Sequence, residues 1–250
     1  MAAHALVVFG ITGRMGQSLL RAVREGSEFH LSGAVASGGS NRLGLDAAAD
    51  GAPSGVLITA DSALALRHAS VAVDFSLQDA VAEHAQACVA ARVPILVGAT
   101  GLGEAPRAEL KAAAREIPVL IAANTSVGVA VLRKLVAAAT LGLGTAYEVE
   151  ISEAHHRMKR DAPSGTALSL GALVASARGE PEASGVRYSV VRAGDIVGEH
   201  TVSFAAAGER LEITHRATDR MIFARGALRA AAWLVGRPAG LYDMQDVLAV

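Results

Sequence analysis

The first half of the chain alternates short apolar runs with amphipathic segments. The run ALVVFG (5–10) predicts a strand, and RMGQSLLRAVREG (14–26) has apolar residues at helical spacing and ends at a glycine. Apolar runs of the same kind predict further strands at 30–37, 55–60, 70–76, 93–100 and 117–124. Repeated strand–helix units predict a parallel sheet with right-handed crossovers and helices on both faces.

After residue 126 the pattern changes. A helix is predicted at 126–142, the segment YEVEISEAHH (147–156) begins with strict alternation, and several strands follow in succession at 185–218. Strands that follow one another without helices between them predict an antiparallel or mixed sheet. A second domain, of the α+β class, is therefore predicted to begin near residue 126, and a final helix is predicted at 220–236.

The composition agrees with this organisation and argues against several functions. Of the 250 residues, 52% are hydrophobic but only 4% are aromatic, which suits buried parallel strands flanked by helices. The net charge is −1 with no long run of one sign, so neither nucleic acid nor an anionic membrane is an expected partner. The apolar runs are interrupted by glycine or charge well short of ~20 residues, and no membrane span is expected.

The N-terminus and the cysteine content indicate a cytoplasmic protein. The segment MAAHALVVFG has no basic stretch before its apolar run, so no secretory signal is expected. With a single cysteine, Cys88, the chain forms no internal disulfide, as is usual in a reducing compartment. A nucleophilic role for Cys88 stays open, but a small buried hydrophobic residue is the favoured interpretation.

The first predicted strand leads into a glycine loop with the spacing G-x-x-G-x-x-G, from Gly10 to Gly16, and a helix follows. Glycines let the backbone turn tightly and approach a pyrophosphate, whose charge is met by N–H groups at the helix N-terminus. The position of the loop between strand and helix favours a Rossmann-like dinucleotide site over a tight turn without a ligand.

The end of the second predicted strand bears on the choice between NADH and NADPH. An NAD-selective site usually offers Asp or Glu there to accept from the ribose 2′-OH, but the segment AVASGGSNR contains no carboxylate. Ser37, Ser40, Asn41 and Arg42 are instead candidates to surround a 2′-phosphate, and Arg14 would add a further cation. NADPH is favoured, while use of both cofactors and a merely solvated loop stay open.

The stretch EAHHRMKRDAPSGTA (153–167) carries candidate catalytic side chains. Adjacent side chains on a strand point to opposite faces, so His155 and His156 do not converge on a metal ion if the strand persists. The stretch also lacks the spaced ligands of a zinc site, and no metal is predicted. A histidine near a cofactor can deliver or relay a proton at neutral pH, and Lys159 can donate one or pair with a carboxylate.

The turn that ends this stretch predicts a helix N-terminus able to bind an anion. Pro163 disfavours helical conformation at the residue before it, and Ser164 is a good N-cap. The N–H groups of Gly165 and Thr166, with the Thr166 hydroxyl, would suit a substrate carboxylate. A capped helix beside two surface histidines is the alternative, and the lysine, the anion-binding turn and the dinucleotide loop in one chain weigh against it.

These motifs resemble the signature of the bacterial 4-hydroxy-tetrahydrodipicolinate reductases, also called dihydrodipicolinate reductases, of lysine and diaminopimelate biosynthesis. The resemblance covers nearly the whole chain. Its motifs, in matching order, are FGITGRMG (9–16), VDFS (73–76), VGATG (97–101), AANTSVGV (122–129), EAHHRMKRDAPSGTA (153–167), RAGDIVGEH (192–200), GERLEITHRA (208–217) and LYDMQDVL (241–248).

The resemblance implies NAD(P)H-dependent reduction of a cyclic dicarboxylate, with His155 and Lys159 as the residues that transfer the proton. The implied substrate contacts are His156, Ser164, Gly165, Thr166 and Thr100. The implied cofactor contacts are Gly10, Ile11, Thr12, Gly13, Arg14, Met15, Gly98, Ala99, Thr100, Ala122, Ala123, Asn124 and Thr125, to which the strand-end argument adds Ser37 and Arg42.

The resemblance also implies that different parts of the chain bind the cofactor and the substrate. Residues 1–126 and 221–250 would form the dinucleotide-binding domain, and residues 127–220 the substrate-binding and oligomerisation domain of a homotetramer. The chain departs from the family at Thr125, where Phe is frequent, and at Ala99, where Thr is frequent. Ser37 stands where some members carry the ribose-binding acid.

Two other functions share part of this pattern. Another two-domain nicotinamide enzyme, such as an amino-acid or sugar dehydrogenase, would have the loop but no evident need for the HH-x-x-K and Ser-Gly-Thr combination. A non-catalytic NADPH sensor would bind the cofactor and tolerate loss of His155 and Lys159.

Overall fold

The computed structural model describes residues 3–181 and 185–248. Its helices and strands, in chain order, are β1 (His4–Phe9), α1 (Arg14–Glu25), β2 (Phe29–Val35), β3 (Ile58–Thr59), α2 (Ser62–Leu66), β4 (Val71–Asp74), α3 (Val81–Ala91), β5 (Ile95–Val97), α4 (Glu104–Ala113), β6 (Pro118–Ile121), α5 (Val127–Leu143), β7 (Glu148–His155), α6 (Gly165–Arg178), β8 (Val186–Arg192), β9 (Gly198–Ala206), β10 (Glu209–Ala217), α7 (Met221–Leu234), β11 (Gly240–Tyr242) and α8 (Met244–Val247). They form two compact units, residues 1–126 with 221–250, and residues 127–220.

The first unit is built on a seven-stranded sheet in the order β11-β6-β5-β4-β1-β2-β3, with every pair parallel. The parallel Rossmann-like sheet predicted from the repeated strand–helix units is confirmed. The order of the strands reverses between β1 and β4, and in open parallel sheets such a switch point is where ligands bind, at the carboxyl ends of the strands. The side chains from Leu6 to Phe9 are completely buried, as expected for a central strand covered on both faces.

The observed strands are shorter than the predicted apolar runs. The segment predicted as a strand at 55–60 forms only the two-residue β3 at the edge of the sheet, and 93–100 forms only β5. Val93 and Ala99 lie outside β5 and are buried, whereas Leu57 beside β3 is exposed. Apolar residues thus extend beyond the paired strands in both settings, so hydrophobicity alone overestimates strand length.

The second unit contains a four-stranded mixed sheet in the order β10-β9-β7-β8. Strands β7 and β8 are parallel and are connected through α6, whereas the other two pairs are antiparallel. The prediction of a mixed or antiparallel sheet is therefore confirmed. The strands and the helices α5 and α6 share one core, formed by Leu132, Val136, Val149, Ile151, Ala167, Leu170, Val174, Val202 and Phe204.

Helix α5 is long and rich in apolar residues. The continuous helical stretch Val127–Ala146 has a mean hydropathy of 1.6 and is, by length and composition alone, long enough to cross a membrane. Arg133 and Lys134 lie within it, and Leu132 and Val136 are buried in the core of the second unit. Helix α5 therefore contributes buried side chains to the core of the second unit.

Candidate functional site

The glycine loop of the first unit is held by close backbone contacts. Gly10 has a φ of +75°, and a Cβ atom there would lie 2.9 Å from the backbone of Phe75 and Ser76. A Cβ atom on Gly16 would lie 2.5 Å from the carbonyl oxygen of Gly10 and 2.6 Å from Ile11 Cα. The loop therefore needs glycine at both ends, because the start of α1 and the end of β4 approach its backbone so closely.

The residues of this loop fit an anionic group. Helix α1 begins after Gly13, which makes no side-chain capping bond, and the first turn of the helix contains no acidic residue. The N–H groups of a first helical turn have no partner within the helix, so they suit the oxygens of a pyrophosphate. Thr12 and Arg14 are exposed beside them, whereas the Ile11 side chain is completely buried and anchors the loop.

Gln17 is a supporting residue that the sequence analysis missed. Its amide nitrogen donates to the carbonyl oxygens of Ile11 and Ala47, both at 2.8 Å, and its amide oxygen accepts from the Ala49 N–H at 2.9 Å. One side chain thus connects the glycine loop to the long loop after β2. A polar residue one turn into an amphipathic helix is common, so the sequence offered no signal for this role.

The candidate 2′-phosphate residues lie in two different settings. Ser37 is exposed in a turn closed by the Ser40 N–H, which donates to the Ser37 carbonyl at 2.9 Å. The Arg42 guanidinium instead donates to the carbonyl oxygens of Asp46 and Ala48, at 2.9 and 2.8 Å, and so holds the following loop together. Arg14 is more exposed and lies at the start of α1.

The Asp46 carboxylate organises the same loop. It accepts hydrogen bonds from the backbone N–H groups of Ser54, Ala48 and Gly55. The bonds from Ser54 and Ala48 contribute most to lowering its pKa to about 2. Asp46 therefore serves as an internal acceptor within the loop.

The next two strand ends carry the residues predicted to line the nicotinamide. The Gly98 N–H donates to the Asp74 carbonyl at 2.8 Å, and a Cβ atom on Gly98 would lie 2.2 Å from the Phe75 ring. Ala99 is buried, and Thr100 beside it is exposed. Since the ring of Phe75 occupies the space a side chain would need, the position of Gly98 depends on this aromatic residue of the VDFS motif.

The loop after β6 combines exposed and buried residues. Ala122 is buried and its N–H donates to the Val97 carbonyl at 2.9 Å, whereas Ala123 is exposed and Asn124 is half-buried. Thr125 is buried, and its hydroxyl donates to the Phe223 carbonyl at 2.7 Å. Thr125, which replaces the frequent Phe, therefore attaches this loop to α7.

A buried Asp–His pair lies at the strand-order switch and was not predicted. His84 Nδ1 lies 2.8 Å from Asp74 Oδ2, and the Ser76 N–H donates to Asp74 Oδ1 at 2.7 Å. The His84 ring stacks on Phe9 with the ring centroids 4.1 Å apart. The pair joins the ends of β1 and β4 to α3, and Asp74 directly precedes Phe75, whose backbone Gly10 approaches.

In the second unit, the two adjacent histidines differ in burial. His155 is the last residue of β7 and is buried, and His156 follows the strand and is half-buried. Nδ1 of His155 lies 2.5 Å from an oxygen of Glu153, which is also buried and was not predicted. Arg192 of β8 makes two further hydrogen bonds to the same carboxylate, at 2.7 and 2.8 Å.

Burial and hydrogen bonding determine the charge states of Glu153 and His155. Burial acts to raise the pKa of Glu153, but hydrogen bonds from Arg192, His155 and the Ser164 N–H outweigh it, and the pKa is lowered. Burial lowers the pKa of His155, and the Glu153 carboxylate opposes that effect without cancelling it. A neutral imidazole beside an ionised carboxylate is therefore the state expected at neutral pH.

The start of α6 is connected to the same network. The Ser164 hydroxyl caps the helix by accepting from the Ala167 N–H at 3.2 Å, and it lies 3.0 Å from Nε2 of the buried His200. The Ser164 N–H donates to Glu153 at 3.1 Å. The contact predicted between Ser164 and a substrate stays a prediction; in this structure its side chain and N–H form hydrogen bonds within the protein. Gly165, which is exposed, and Thr166 follow it in the first turn of α6.

Lys159 lies in the turn after β7. Its N–H donates to the His156 carbonyl at 3.0 Å, and Nζ lies 2.9 Å from Asp161 Oδ1. The hydrogen bond from Lys159 is the main cause of a lowered pKa at Asp161. The second unit thus brings together His155, Lys159 and the start of α6, as the sequence predicted, and adds Glu153, Arg192 and His200.

Cys88 is completely buried in the core of the first unit, and burial raises the pKa of its thiol. Among residues 3–181 and 185–248, no group of three or more His, Cys, Asp or Glu side chains is arranged to hold a metal ion.

Comparisons with known proteins identify two matching sequence profiles. The profile described as dihydrodipicolinate reductase, N-terminus, matches residues 4–125, and the profile described as dihydrodipicolinate reductase, C-terminus, matches residues 128–248. The 4-hydroxy-tetrahydrodipicolinate reductase of Anaeromyxobacter dehalogenans strain 2CP-1 is 48% identical, over 98% of this chain and 97% of that protein. The corresponding reductase of Thiobacillus denitrificans is 46% identical, over 98% of each.

Solved structures show the same fold. A dipicolinate-bound dihydrodipicolinate reductase from Paenisporosarcina sp. TG-14 has a TM-score of 0.78 at 21% identity, covering 98% of this chain and 99% of that one. An amine dehydrogenase from Mycobacterium smegmatis has a TM-score of 0.63 at 14% identity, covering 97% and 95%. The fold is therefore common to enzymes of different activity.

The glycine loop can be tested by substituting Gly16. We expect Gly16→Ala to weaken dinucleotide binding strongly and to lower the free energy of unfolding by about 1–3 kcal/mol, because the new methyl group meets backbone atoms that cannot rotate away. Gly142→Ala in the second unit is the matched control, since a Cβ atom there has no neighbour within 4 Å. Fluorescence titration with reduced dinucleotide and denaturant unfolding are the measurements, and equal affinities in the two variants would contradict the expectation.

Because His200 is buried, we expect the free energy of unfolding to decrease in acid. Burial is the main cause that lowers its pKa to about 4 from 6.5, so between these values the unfolded chain binds a proton that the folded protein does not. The free energy of unfolding should therefore fall as the pH drops from 6.5 to 4, with up to about 1.4 kcal/mol per pH unit from this residue.

His200→Gln should reduce that slope in denaturant unfolding measured across the same pH range. His155 and His215, whose pKa values are also lowered, remain in the variant, so part of the slope should persist. An unchanged slope would show that His200 is not the buried neutral histidine described above.

Proposed function

This chain belongs to the dihydrodipicolinate reductase family, and we propose that it reduces 4-hydroxy-tetrahydrodipicolinate to tetrahydrodipicolinate in lysine and diaminopimelate biosynthesis. It is an NAD(P)H-dependent oxidoreductase. The observation that carries this conclusion is the identity of 46–48% to reductases of this name over 98% of the chain. The fold alone would not carry it, because an amine dehydrogenase shares it.

The first unit would bind the cofactor. The residues from Gly10 to Met15 would hold the pyrophosphate, since the loop is free of acidic side chains and ends at a helix N-terminus. Gly98 to Thr100 and Ala122 to Thr125 would line the nicotinamide. When bound, the cofactor supplies the hydride, and the protein contributes orientation and the exclusion of water.

The second unit would bind the substrate and transfer the proton. Gly165 and Thr166 would hold one carboxylate at the start of α6, and His156 would orient the substrate. A proton must be added to the ring position next to the one that is reduced, and Lys159 and His155 are the candidates to deliver it. Both lie within the turn and strand end that precede α6.

The preference for NADPH over NADH is also part of the proposal. It is supported by the absence of a carboxylate from the segment AVASGGSNR and by Arg14 beside the glycine loop. Ser37 would offer its hydroxyl to the ribose or the 2′-phosphate. Arg42 would act partly through the loop that its guanidinium holds together.

We further propose a cytoplasmic homotetramer. Residues 127–220 would provide the oligomerisation surface, and residues 1–126 with 221–250 the dinucleotide-binding domain. The family resemblance supports the tetramer, and the single buried Cys88 supports a reducing compartment.

The reductase activity can be measured as oxidation of NADPH when the substrate is generated in situ by the preceding synthase. Wild-type protein should consume NADPH only when substrate is formed. Folded protein that binds NADPH without any turnover would instead favour a non-catalytic NADPH sensor, and turnover of an amino acid or a sugar would favour another dehydrogenase.

The proton donor can be tested with Lys159→Ala. We expect kcat to fall about 100-fold or more, the usual contribution of general acid–base catalysis, while NADPH affinity is retained. Lys111→Ala, which removes an exposed lysine of α4 in the first unit, is the matched control and should leave kcat unchanged. Full turnover by Lys159→Ala would show that Lys159 is not the proton donor, whereas the proposed reductase activity would stand.

The cofactor preference can be tested with Arg14→Ala. If Arg14 faces a 2′-phosphate, its loss should lower kcat/KM for NADPH on the order of ten-fold, equivalent to about 1.4 kcal/mol, with little effect on NADH. Arg42→Ala should affect both cofactors, because this guanidinium holds two backbone carbonyls of its own loop. A wild-type enzyme that clearly prefers NADH would overturn the proposed preference.

A further inference from the structure

The Glu153 carboxylate lies at the centre of the candidate catalytic residues of the second unit. It is buried at the end of β7, and its exposed fraction is 3%. One oxygen accepts from His155 Nδ1 and Arg192 Nη1, and the other accepts from the Ser164 N–H and Arg192 Nη2. Neither the reaction proposed above nor the sequence analysis assigns this residue a role.

We propose that Glu153 is a positioning residue, which fixes the tautomer and orientation of His155 and at the same time holds the start of α6 in place. The proposal rests on the reductase function proposed above and deepens it. In this arrangement one buried charge controls two elements of the site: the histidine that would transfer a proton and the helix start that would bind a carboxylate.

The tautomer of His155 follows from the chemistry of its partner. An ionised carboxylate only accepts hydrogen bonds, so the imidazole must carry its proton on Nδ1, the atom 2.5 Å from Glu153. Nε2 is then the nitrogen with a free lone pair, and it is the atom able to accept or return a proton during the reaction. The other tautomer would place two acceptors against each other in a buried position.

The opposite edge of the ring is kept open by a glycine. A Cβ atom on Gly198, the first residue of β9, would lie 3.0 Å from His155 Nε2 and 3.3 Å from its Cδ2. Any side chain at this position would press on the nitrogen that Glu153 leaves unprotonated. Gly198 and Glu153 thus act on opposite sides of the same ring.

The surrounding charges favour an ionised Glu153. Arg192 on β8 makes a two-pronged ion pair with it, and such pairs keep a carboxylate charged even where burial opposes the charge. His155 is also faced by His200 on β9, whose ring centroid is 5.1 Å away, and by the charge of Lys159 in the turn after β7. Of these groups only Glu153 favours the protonated form of His155.

The hydrogen-bonding capacity of the carboxylate makes one substitution especially informative. Four donors occupy the roughly four lone-pair sites of Glu153, whereas the amide of a glutamine has only one accepting atom. In Glu153→Gln, an amide nitrogen must therefore face either His155 Nδ1 or the Ser164 N–H. The change is close to isosteric, so it alters charge and hydrogen bonding with little change in volume.

A purely structural role is the alternative to be tested. Glu153 would then serve only to neutralise Arg192 and to join β7 to β8, and the tautomer of His155 would not depend on it. Kinetics alone does not separate the two roles, because a loosened fold also loses activity. The side-chain nitrogen NMR spectrum of His155 separates the two roles, because it reports which ring nitrogen carries the proton and the pH at which the ring titrates.

The experiment compares full-length wild-type protein, Glu153→Gln and Glu150→Gln. Glu150 is the matched control, because it lies on the exposed face of the same strand and accepts a hydrogen bond from Ser189 of β8. The His155 signal is identified by its loss in His155→Gln. NMR titrations are recorded on all three proteins, and the pH dependence of kcat is measured with NADPH and in situ substrate.

We expect wild-type His155 to be protonated on Nδ1 at neutral pH. In Glu153→Gln its titration midpoint and the corresponding limb of the kcat profile should move to lower pH, because a charge favouring the protonated ring is lost. At the optimum, kcat should fall at least about 10-fold. Glu150→Gln should match the wild type in every one of these measurements.

Several outcomes would overturn the proposal. A finding that wild-type His155 carries its proton on Nε2 would contradict the proposal. This measurement needs no variant, so the proposal can be tested even if Glu153→Gln fails to fold. The proposal would also be contradicted if Glu153→Gln folds and the tautomer and titration midpoint of His155 are unchanged in it. If the wild type reduces no substrate while its NMR titration behaves as expected, the reductase function fails and the positioning role of Glu153 stands.

Discussion

A buried negative charge is the constraint on which the second unit depends. An ionised carboxylate is costly to bury unless donors satisfy it, and Glu153 collects its donors from three elements: β7 itself, β8 and the start of α6. The register of the parallel pair places Arg192 directly beside His155. A slip of one residue would move the guanidinium to the other face of the sheet, so this carboxylate, the strand pairing and the site are mutually dependent.

The first unit is governed by steric limits rather than by charge. At the carboxyl edge of its sheet, backbone segments leave no room for a Cβ atom on Gly10 or Gly16, and the Phe75 ring leaves none on Gly98. The approach brings the N-terminus of α1 to the strand-order switch, where a negatively charged ligand is favoured. The Asp74 carboxylate supports this edge by accepting from the Ser76 N–H in the loop after β4, and its other oxygen contacts His84 of α3.

The similarity to other enzymes shows that the fold does not by itself determine the reaction. The architecture is shared with an amine dehydrogenase at 14% identity, so a nucleotide-binding sheet joined to a smaller mixed sheet is compatible with several reactions. In the proposed function, the chemistry depends on residues 153–167 of the second unit, to which Arg192 and His200 are hydrogen-bonded. These residues lie far apart along the chain and meet only because β7, β8 and β9 are neighbours in one sheet.

The sequence by itself determined the two-part organisation, the parallel and mixed sheets, the glycine loop and the group of His155, Lys159 and the start of α6. Apolar periodicity, glycine spacing and capping residues are local signals, and each of these features depends on residues close together in the chain. Only the tertiary structure showed that Ser164 is committed inside the protein, and that Glu153, Gln17 and His84 support the candidate residues. A hydrogen bond between side chains of different strands and helices depends on register and packing, which no single segment encodes.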